Sequence, residues 1–476
     1  MKGSTHFPSR AGSGARVALL TTYFRFFDGV FPDSYRETQA ENARSLAAEI
    51  ESAGFEVINF GLTDSEAKAH EHAQLLSDAA PNVLLLLPLM ACPATHALPV
   101  ALALQIPTVI CQWLKQAEFH DDYDEITATE DSTLLGAAML TSGLLQHGLR
   151  FASVVHRRGE SGGELYGALR GAIATSPAQP RRIGVVGAPL EGYVDVEVGA
   201  DDLTEFGMVR VPITSDRIIS NLPELQSSSV AEEAEWFEAA GAQFAADAES
   251  LARDLALGAA LEAIATFDKL DAVVLNCHDA LFRRGQHVGI PACLAGSRLA
   301  SSDRPVTCTG DVSTAVALVI AREFTPDVLY CEPFTIAYES GEILLSSCGI
   351  GTLSTAASEP APSVCKNLGY PGIADAGGRL WFGFREGPAT IIAFVPGTLG
   401  EPAHLIWTVG RSSGRSLRSM HGPNAIVTLD STDPVSVMAK WVEHGPAHHV
   451  ALAGADLSVE LRTMDRLGDF RLIEVR

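Results

Sequence analysis

The stretch Val83-Leu84-Leu85-Leu86-Leu87 is an unbroken apolar run that decides how the first part of the chain folds. Such a run is typical of a central strand in a parallel sheet, because helices cover both faces of that strand. Further strand patterns and helical patterns alternate on both sides of it, at residues 17–21, 35–53, 56–60, 65–79, 96–104, 108–112 and 132–147. This alternation predicts a parallel sheet with crossover helices.

The same pattern restarts after the Ser-Pro-Ala-Gln-Pro break at residues 176–180. Short apolar runs predict strands at residues 182–187, 208–211, 272–276, 306–308 and 328–331. Helical periodicity lies between them, including one long stretch from residue 231 to about residue 267. We therefore expect a second parallel sheet built like the first.

The pattern changes beyond about residue 340, where short alternating strands are broken by glycine and proline. The sequence thus predicts an α/β protein with two Rossmann-like parallel-sheet domains, followed by a β-rich, antiparallel and barrel-like C-terminal domain. The expected segments are a flexible N-terminal tail at 1–15, an N-terminal α/β domain at 16–175, a central α/β domain at 176–340 and the C-terminal domain at 341–476, which ends in a short α/β tail.

Composition excludes several classes of partner. The chain of 476 residues has a net charge of −24, so it would repel the phosphate backbone of nucleic acids. Its apolar runs are far shorter than the roughly 20 residues of a membrane span. The eight cysteines form no CxxC pair and stand mostly in apolar contexts, which is typical of reduced thiols. We expect a cytoplasmic protein that binds a small molecule.

Three loops place polar side chains at strand ends, where open α/β sheets bind their ligands. Asp311 follows the strand at 306–308, and either a helix N-cap or a site residue fits that position. Glu332 ends the strand at 328–331, either as a site carboxylate or as an ordinary loop acid. His448 and His449 precede a strand, and adjacent strand residues point to opposite faces, so at most one is expected to reach a given site.

Several of these segments resemble the L-fucose and L-arabinose isomerase families. Gly445-Pro446-Ala447-His448-His449-Val450 is similar to a Gly-Gly-Ala-His-His-Thr signature near the C-terminus of L-arabinose isomerase. Residues 292–295 and 305–312 resemble a family segment that ends in Cys-Glu-x-Asp-Val, and residues 345–349 resemble its His-Cys-Gly. The expected order of domains also agrees.

The resemblance implies an aldose–ketose isomerase in which a divalent ion, usually Mn²⁺, binds neighbouring sugar oxygens and stabilises an enediolate. It implies that Glu332 is a metal ligand and base, and that either His448 or His449, with His449 preferred, is a metal ligand. Thr309 stands where the family has its first glutamate, and Ser347 stands where it has a histidine, so the metal site is altered. Asp311 is the candidate that would compensate for these two lost ligands, as both a metal ligand and a catalytic carboxylate.

Other expectations concern the substrate and the assembly. We place Thr309, Ser347 and His448 among the substrate-binding side chains. Arg25 and Asp28 follow the first strand, where they either orient substrate hydroxyls or form a surface loop packed by phenylalanines. The resemblance also implies a homo-oligomer, a trimer or a hexamer, with a small carbohydrate as its ligand.

Two further functions stay open. One is a repurposed enzyme, a lyase, an epimerase or a cysteine-assisted catalyst that needs no metal. For that chemistry Cys308, Cys331 and Cys348 are the candidate nucleophiles, although buried inert thiols are the favoured interpretation of all three. The other is a carbohydrate-binding protein without catalysis.

Overall fold

The computed structural model describes residues 14–160, 163–175, 179–276, 290–367, 377–398 and 400–476. Most of the expected tail at 1–15 lies outside these residues. The chain divides into two compact units, one made of Met1–Ala178 with Val459–Asp469 and the other of Gln179–Ser458 with Phe470–Arg476. This division does not separate the predicted central domain from the predicted C-terminal domain.

The first unit contains a parallel sheet. Its strands are β1 (Arg16–Thr22), β2 (Glu56–Ile58), β3 (Leu62–Thr63), β4 (Val83–Pro88), β5 (Thr108–Leu114) and β6 (Ala152–Arg157). They run in the order β2-β1-β4-β5-β6, and β3 also pairs with β1. The helices are α1 (Ser34–Ser52), α2 (Glu66–Ala79), α3 (Leu98–Leu104), α4 (Glu125–Glu130), α5 (Thr133–Gln146) and α6 (Glu164–Ala174).

Strand β4 occupies the middle of this sheet, as its sequence predicts. Val83, Leu85 and Leu87 belong to the core on one face, whereas Leu84 and Leu86 belong to the core on the other. The first core includes apolar residues of α1 and α6, and the second includes residues of α2, α3 and α5. Because both faces are covered by helices, every residue of the run is buried.

The second unit begins with another parallel sheet, in the order β11-β10-β7-β8. The strands of this part of the chain are β7 (Arg181–Val186), β8 (Met208–Ile213), β9 (Gln243–Phe244), β10 (Ala272–Leu275) and β11 (Val306–Thr307). Its helices are α7 (Ala200–Glu205), α8 (Ser215–Ser220), α9 (Ser228–Ala239), α10 (Ala252–Phe267), α11 (Cys293–Ala300) and α12 (Val312–Arg322).

The predicted long helix at 231–267 is wrong, because the chain forms two helices there. Helix α9 ends at Ala239, and Gly241 then takes a φ of +92°, a left-handed conformation that glycine adopts without strain. The next helix, α10, begins only at Ala252.

A closed antiparallel barrel completes the second unit, as the fold prediction states. Within the described residues six strands close the ring in the order β16-β19-β12-β13-β18-β17, because β17 pairs back with β16. The elements from here to the end are β12 (Val328–Ala337), β13 (Glu342–Ser346), β14 (Ser363–Lys366), β15 (Gly378–Trp381), β16 (Gly387–Val395), β17 (His404–Ser412), β18 (Asn424–Leu429), α13 (Pro434–Glu443), β19 (Val450–Ala453), α14 (Ser458–Leu467) and β20 (Arg471–Glu474).

The assignment of residues 328–331 to the second parallel sheet is also wrong. These residues begin β12, which pairs antiparallel with both β13 and β19 in the barrel. A short apolar run is the same pattern in a parallel strand and in a buried barrel strand, so the sequence does not separate them. Strand β20 extends the barrel by pairing in parallel with β17.

No helix in the described ranges combines the length and the apolar character that crossing a bilayer requires.

The close packing of β17 against β18 at Gly410 gives a test of the fold. A Cβ added to Gly410 in β17 would overlap the carbonyl oxygen of Thr428 and lie 2.9 Å from the Cα of Leu429. We expect Gly410→Ala to lower the free energy of unfolding by about 1–3 kcal/mol, as overpacked core substitutions do. The matched control is Gly258→Ala in α10, where the new Cβ meets only ordinary contacts at 3.7 Å.

The control should raise the free energy of unfolding by about 0.5–1 kcal/mol, because alanine is the better helix former. Urea unfolding followed by circular dichroism measures both changes. Equal effects from the two variants would contradict the close strand approach.

Candidate functional site

A tight turn in the second unit positions Asp311 at the start of α12. Thr309 and Gly310 before it have φ values of +56° and +80°, and a Cβ on Gly310 would lie 2.6 Å from the Cα of Pro189. Asp311 is fully buried and is the N-cap of α12, where its Oδ1 accepts a hydrogen bond of 2.8 Å from the backbone N–H of Thr314. The capping interpretation is therefore confirmed for one carboxylate oxygen.

Strand register brings Glu332 and His449 together. Strands β12 and β19 pair antiparallel, with Cys331 opposite Val450. Glu332 and His449 are the neighbours of that last pair in the chain, and Nε2 of His449 lies 3.5 Å from Oε1 of Glu332. The expected proximity of a carboxylate and an imidazole over more than a hundred positions is thus present.

The second oxygen of Asp311 completes the cluster. Its Oδ2 lies 2.9 Å from Nδ1 of His449, and only 3% of the histidine side chain is exposed. The two atoms are within ion-pair distance, but their contact does not have the geometry of an ordinary hydrogen bond. Asp311 therefore both caps α12 and pairs with His449. We call Asp311, His449 and Glu332 the carboxylate–imidazole cluster.

The imidazole of this cluster is a cation at neutral pH. Burial by itself lowers the pKa of His449, but the two carboxylates outweigh it and raise the pKa from 6.5 to about 9. Each ring nitrogen faces a different carboxylate, which favours the doubly protonated ring. The ring of Tyr330 lies against that of His449, with 4.6 Å between centroids.

A second acid–histidine pair lies beside the cluster, and the sequence analysis missed its acid. Oδ2 of Asp195 accepts hydrogen bonds from the backbone N–H of His448 at 2.9 Å and from its Nδ1 at 2.5 Å. Although partial burial opposes it, these hydrogen bonds hold the pKa of Asp195 below its ordinary value. The ring of Tyr193 meets His448 edge-on at 5.0 Å. Asp195 lies inside the irregular loop between β7 and α7, several residues beyond the end of the strand, so the rule that ligands bind at strand ends does not single it out.

The expectation that His448 and His449 point to opposite faces is wrong. Strand β19 begins only at Val450, so both histidines precede it and strand alternation does not apply to them. Their ring centroids lie 3.8 Å apart. His448 is 41% exposed and His449 is buried, which places His448 at the outer edge of the cluster.

The hydroxyls of Thr309 and Ser347 donate hydrogen bonds to nearby backbone carbonyls. Oγ1 of Thr309 donates to the carbonyl of Cys308 at 2.8 Å, and Oγ of Ser347 donates to the carbonyl of Ile350 at 2.6 Å. Ser347 is also buried. Their predicted role in substrate binding stays a prediction.

Arg25 and Asp28 belong to the first unit, where they form part of an exposed turn. Arg25 begins the short 3-10 helix Arg25–Phe27 and is exposed. The carboxylate of Asp28 accepts hydrogen bonds from the hydroxyl of Tyr23 at 2.6 Å and from Arg36 at 3.0 Å. These contacts give Asp28 a structural role, and substrate binding by either residue stays a prediction.

The three candidate cysteines differ in their surroundings. Burial raises the pKa of the Cys331 thiol, whose sulfur contacts the carbonyl of Val450 at 3.9 Å. Hydrogen bonds from the thiols of Cys293 and Cys308 instead hold the pKa of Cys348 well below its ordinary value, and the charge of His449 adds to this effect. Burial thus keeps the thiol of Cys331 protonated, whereas the surroundings of Cys348 favour its ionisation.

The donor set does not fit the manganese ion that the resemblance implies. One ion could contact Nε2 of His449 and Glu332, but Asp311 faces the opposite nitrogen of the ring. Hard cations favour several oxygen ligands, and the residues that replace two of the family's ligands turn their hydroxyls to backbone. Across the described ranges, no group of three or more histidine, cysteine, aspartate or glutamate side chains could hold a metal.

Comparisons with known proteins do not identify a family for this chain. No protein-family model matches the sequence, and no curated protein matches it.

The raised pKa of His449 predicts that stability depends on pH. The folded pKa of about 9 exceeds the unfolded value of 6.5, so the charge adds to stability fully below pH 6.5, and this contribution is lost as pH rises through about 9. The difference corresponds to about 3 kcal/mol. We expect the free energy of unfolding to fall by this order between pH 6.5 and 9.5, relative to His449→Gln.

Urea titrations of both proteins at several pH values measure this difference. Subtracting the variant removes the contribution of other groups that titrate in the same range. A wild-type curve parallel to that of His449→Gln would show that the imidazole is not held as a cation.

Proposed function

We propose that the carboxylate–imidazole cluster moves a proton between neighbouring carbons of a small carbohydrate or polyol, as an aldose–ketose isomerase does through an enediolate. The observation that carries this proposal is a buried imidazolium held opposite a partly exposed carboxylate. Glu332 has 32% of its side chain exposed, so a substrate can approach it, while His449 is shielded from water.

Glu332 is the base of the proposed reaction. Its carboxylate takes the proton from the hydroxyl-bearing carbon next to the substrate carbonyl and returns it to the carbonyl carbon. In the enediolate between these two steps, the hydroxyl proton passes to the former carbonyl oxygen. At 3.5 Å its contact with Nε2 of His449 is long for a hydrogen bond, so a substrate oxygen can compete for the same N–H. Proton transfer of this kind requires the base within hydrogen-bond reach of the substrate.

His449 stabilises the negative charge that develops on the carbonyl oxygen. A fixed cation in a site shielded from water stabilises such an oxyanion more strongly than it would in solvent. Asp311 acts through His449, because its Oδ2 keeps the ring charged and the α12 cap keeps the carboxylate in place. No step of this reaction passes through a metal.

The residues around the cluster suit an uncharged, hydroxyl-rich substrate. Asp195, His448 and Tyr193 supply hydrogen-bonding groups beside His449 and are each about one-third exposed or more. The net charge of −24 works against anionic substrates such as sugar phosphates. An epimerase or lyase would begin with the same proton removal, and a binding protein would use the same hydroxyl contacts.

The proposal includes a cytoplasmic, homo-oligomeric protein. The described cysteines form no disulfide bonds, which supports a reducing compartment. In the first unit, α5 carries no charged residue and exposes Leu134, Leu135 and Leu145, each about 60% accessible. A second copy of the chain would cover such an apolar helix face.

Deuterium exchange tests the proposed proton transfer. Incubating the protein with neutral aldoses and ketoses in D₂O should place deuterium on the carbon next to the carbonyl of its substrate, measured by NMR. Glu332→Gln should lower this exchange by about 10²–10⁴-fold, because the neutral amide cannot take a proton. A chelator should leave the rate unchanged.

The control is Glu339→Gln, which changes an exposed acid in the turn after β12 and should keep full exchange. The substrate should still raise the melting temperature of Glu332→Gln, since binding remains. A sugar that stabilises the protein without any exchange would indicate a binding protein. Full exchange in Glu332→Gln would remove this residue from the mechanism.

Asp195 gives a separate test of the substrate contacts. Asp195→Asn leaves His448 without its charged partner, so we expect KM to rise by about tenfold to a hundredfold while kcat changes less. Asp430→Asn, a change at another exposed aspartate, is the control. A fall in kcat at constant KM would instead indicate that His448 takes part in proton transfer.

A further inference from the structure

Three thiols meet in the second unit, and nothing in the proposed proton transfer uses them. Cys293 begins α11, Cys308 follows β11 and Cys348 follows β13. The side chain of Cys348 lies close to the side chains of both other cysteines. We call these three residues the thiol cluster.

Backbone geometry brings Cys293 close to Cys348. Sγ of Cys293 lies 3.8 Å from the carbonyl oxygen of Cys348. The next residue, Gly349, has a φ of +124°, and a Cβ added there would lie 3.4 Å from Cβ of Cys293 and 2.9 Å from Cβ of Arg379. A larger residue at 349 would thus separate the two segments.

Exposure distinguishes the members of the thiol cluster. Cys348 is partly exposed, whereas Cys293 is 2% and Cys308 is 6% accessible. A small oxidant reaches the exposed thiol first, and the two buried thiols are then its nearest reaction partners. This arrangement of one accessible thiol beside resolving thiols is typical of redox-sensitive cysteines.

We propose that Cys348 is a peroxide-reactive thiol that forms a disulfide with Cys293 or Cys308. In the first step its thiolate attacks the O–O bond of hydrogen peroxide, and the sulfur, oxidised by two electrons, becomes a sulfenic acid while the other oxygen leaves as hydroxide and is protonated to water. In the second step the neighbouring thiol attacks that sulfur, so an S–S bond forms and a second water leaves. A dithiol reductant reverses the reaction.

Peptide mapping tests this proposal on the full-length native protein. After treatment with an equimolar amount of hydrogen peroxide and blocking of the remaining thiols, mass spectrometry should show the peptide containing Cys348 joined to that of Cys293 or Cys308. Dithiothreitol should separate them. Cys348→Ser should abolish the disulfide, and the control Cys331→Ser should retain it, since Cys331 is buried in the barrel.

A second measurement does not depend on the folding of a variant. Brief alkylation of the native wild-type protein with iodoacetamide should label Cys348 ahead of Cys331. Equal labelling of the two, oxidation spread over all cysteines, or a disulfide to any residue outside the thiol cluster would overturn the proposal. The outcome is independent of the deuterium-exchange experiment, because neither readout requires a sugar.

Discussion

The attraction between Asp311 and the buried imidazole of His449 is the interaction on which the rest of the site depends. An ionised carboxylate without a partner would be costly at a position that water does not reach. Two contacts offset this cost. Oδ1 accepts a hydrogen bond from the backbone N–H of Thr314 in α12, and Oδ2 faces the charged ring of His449. His449, in turn, is charged because a carboxylate faces each of its two ring nitrogens. The proposed reaction depends on this charge.

In the proposed reaction, a fixed imidazolium replaces part of the role that a metal ion has in the isomerase families. A divalent ion and a protonated histidine both present positive charge to an oxygen that becomes negative, although the histidine carries half the charge. The two differ in what they require of the protein. An ion needs several donors around one point, whereas an imidazolium needs an acid near each nitrogen, and Asp311 and Glu332 are arranged in the second way.

Much of the fold and the central acids of the site could be predicted, because the signals were local. The run at residues 83–87 specifies a strand covered on both faces, and Glu332 and His449 each adjoin a recognisable strand. Asp195 was missed since it lies in an irregular loop whose path depends on contacts with the turn before α12, such as the hydrogen bond from Leu190 N–H to the carbonyl of Thr309. The sheet that contains residues 328–331 could not be predicted either, because pairing partners over a hundred residues apart leave no periodic pattern.

The closure of the barrel has a consequence for how the protein is made. Strand β19 completes the ring between β12 and β16, and it directly follows His449. The ribosome synthesises the chain from its N-terminus, so the strands before β19 emerge first. Until β19 follows, β12 and β16 each have an edge without a partner strand. During synthesis the nascent chain therefore lacks both the strand that closes the barrel and the imidazole of the cluster, and the same late segment of chain supplies both.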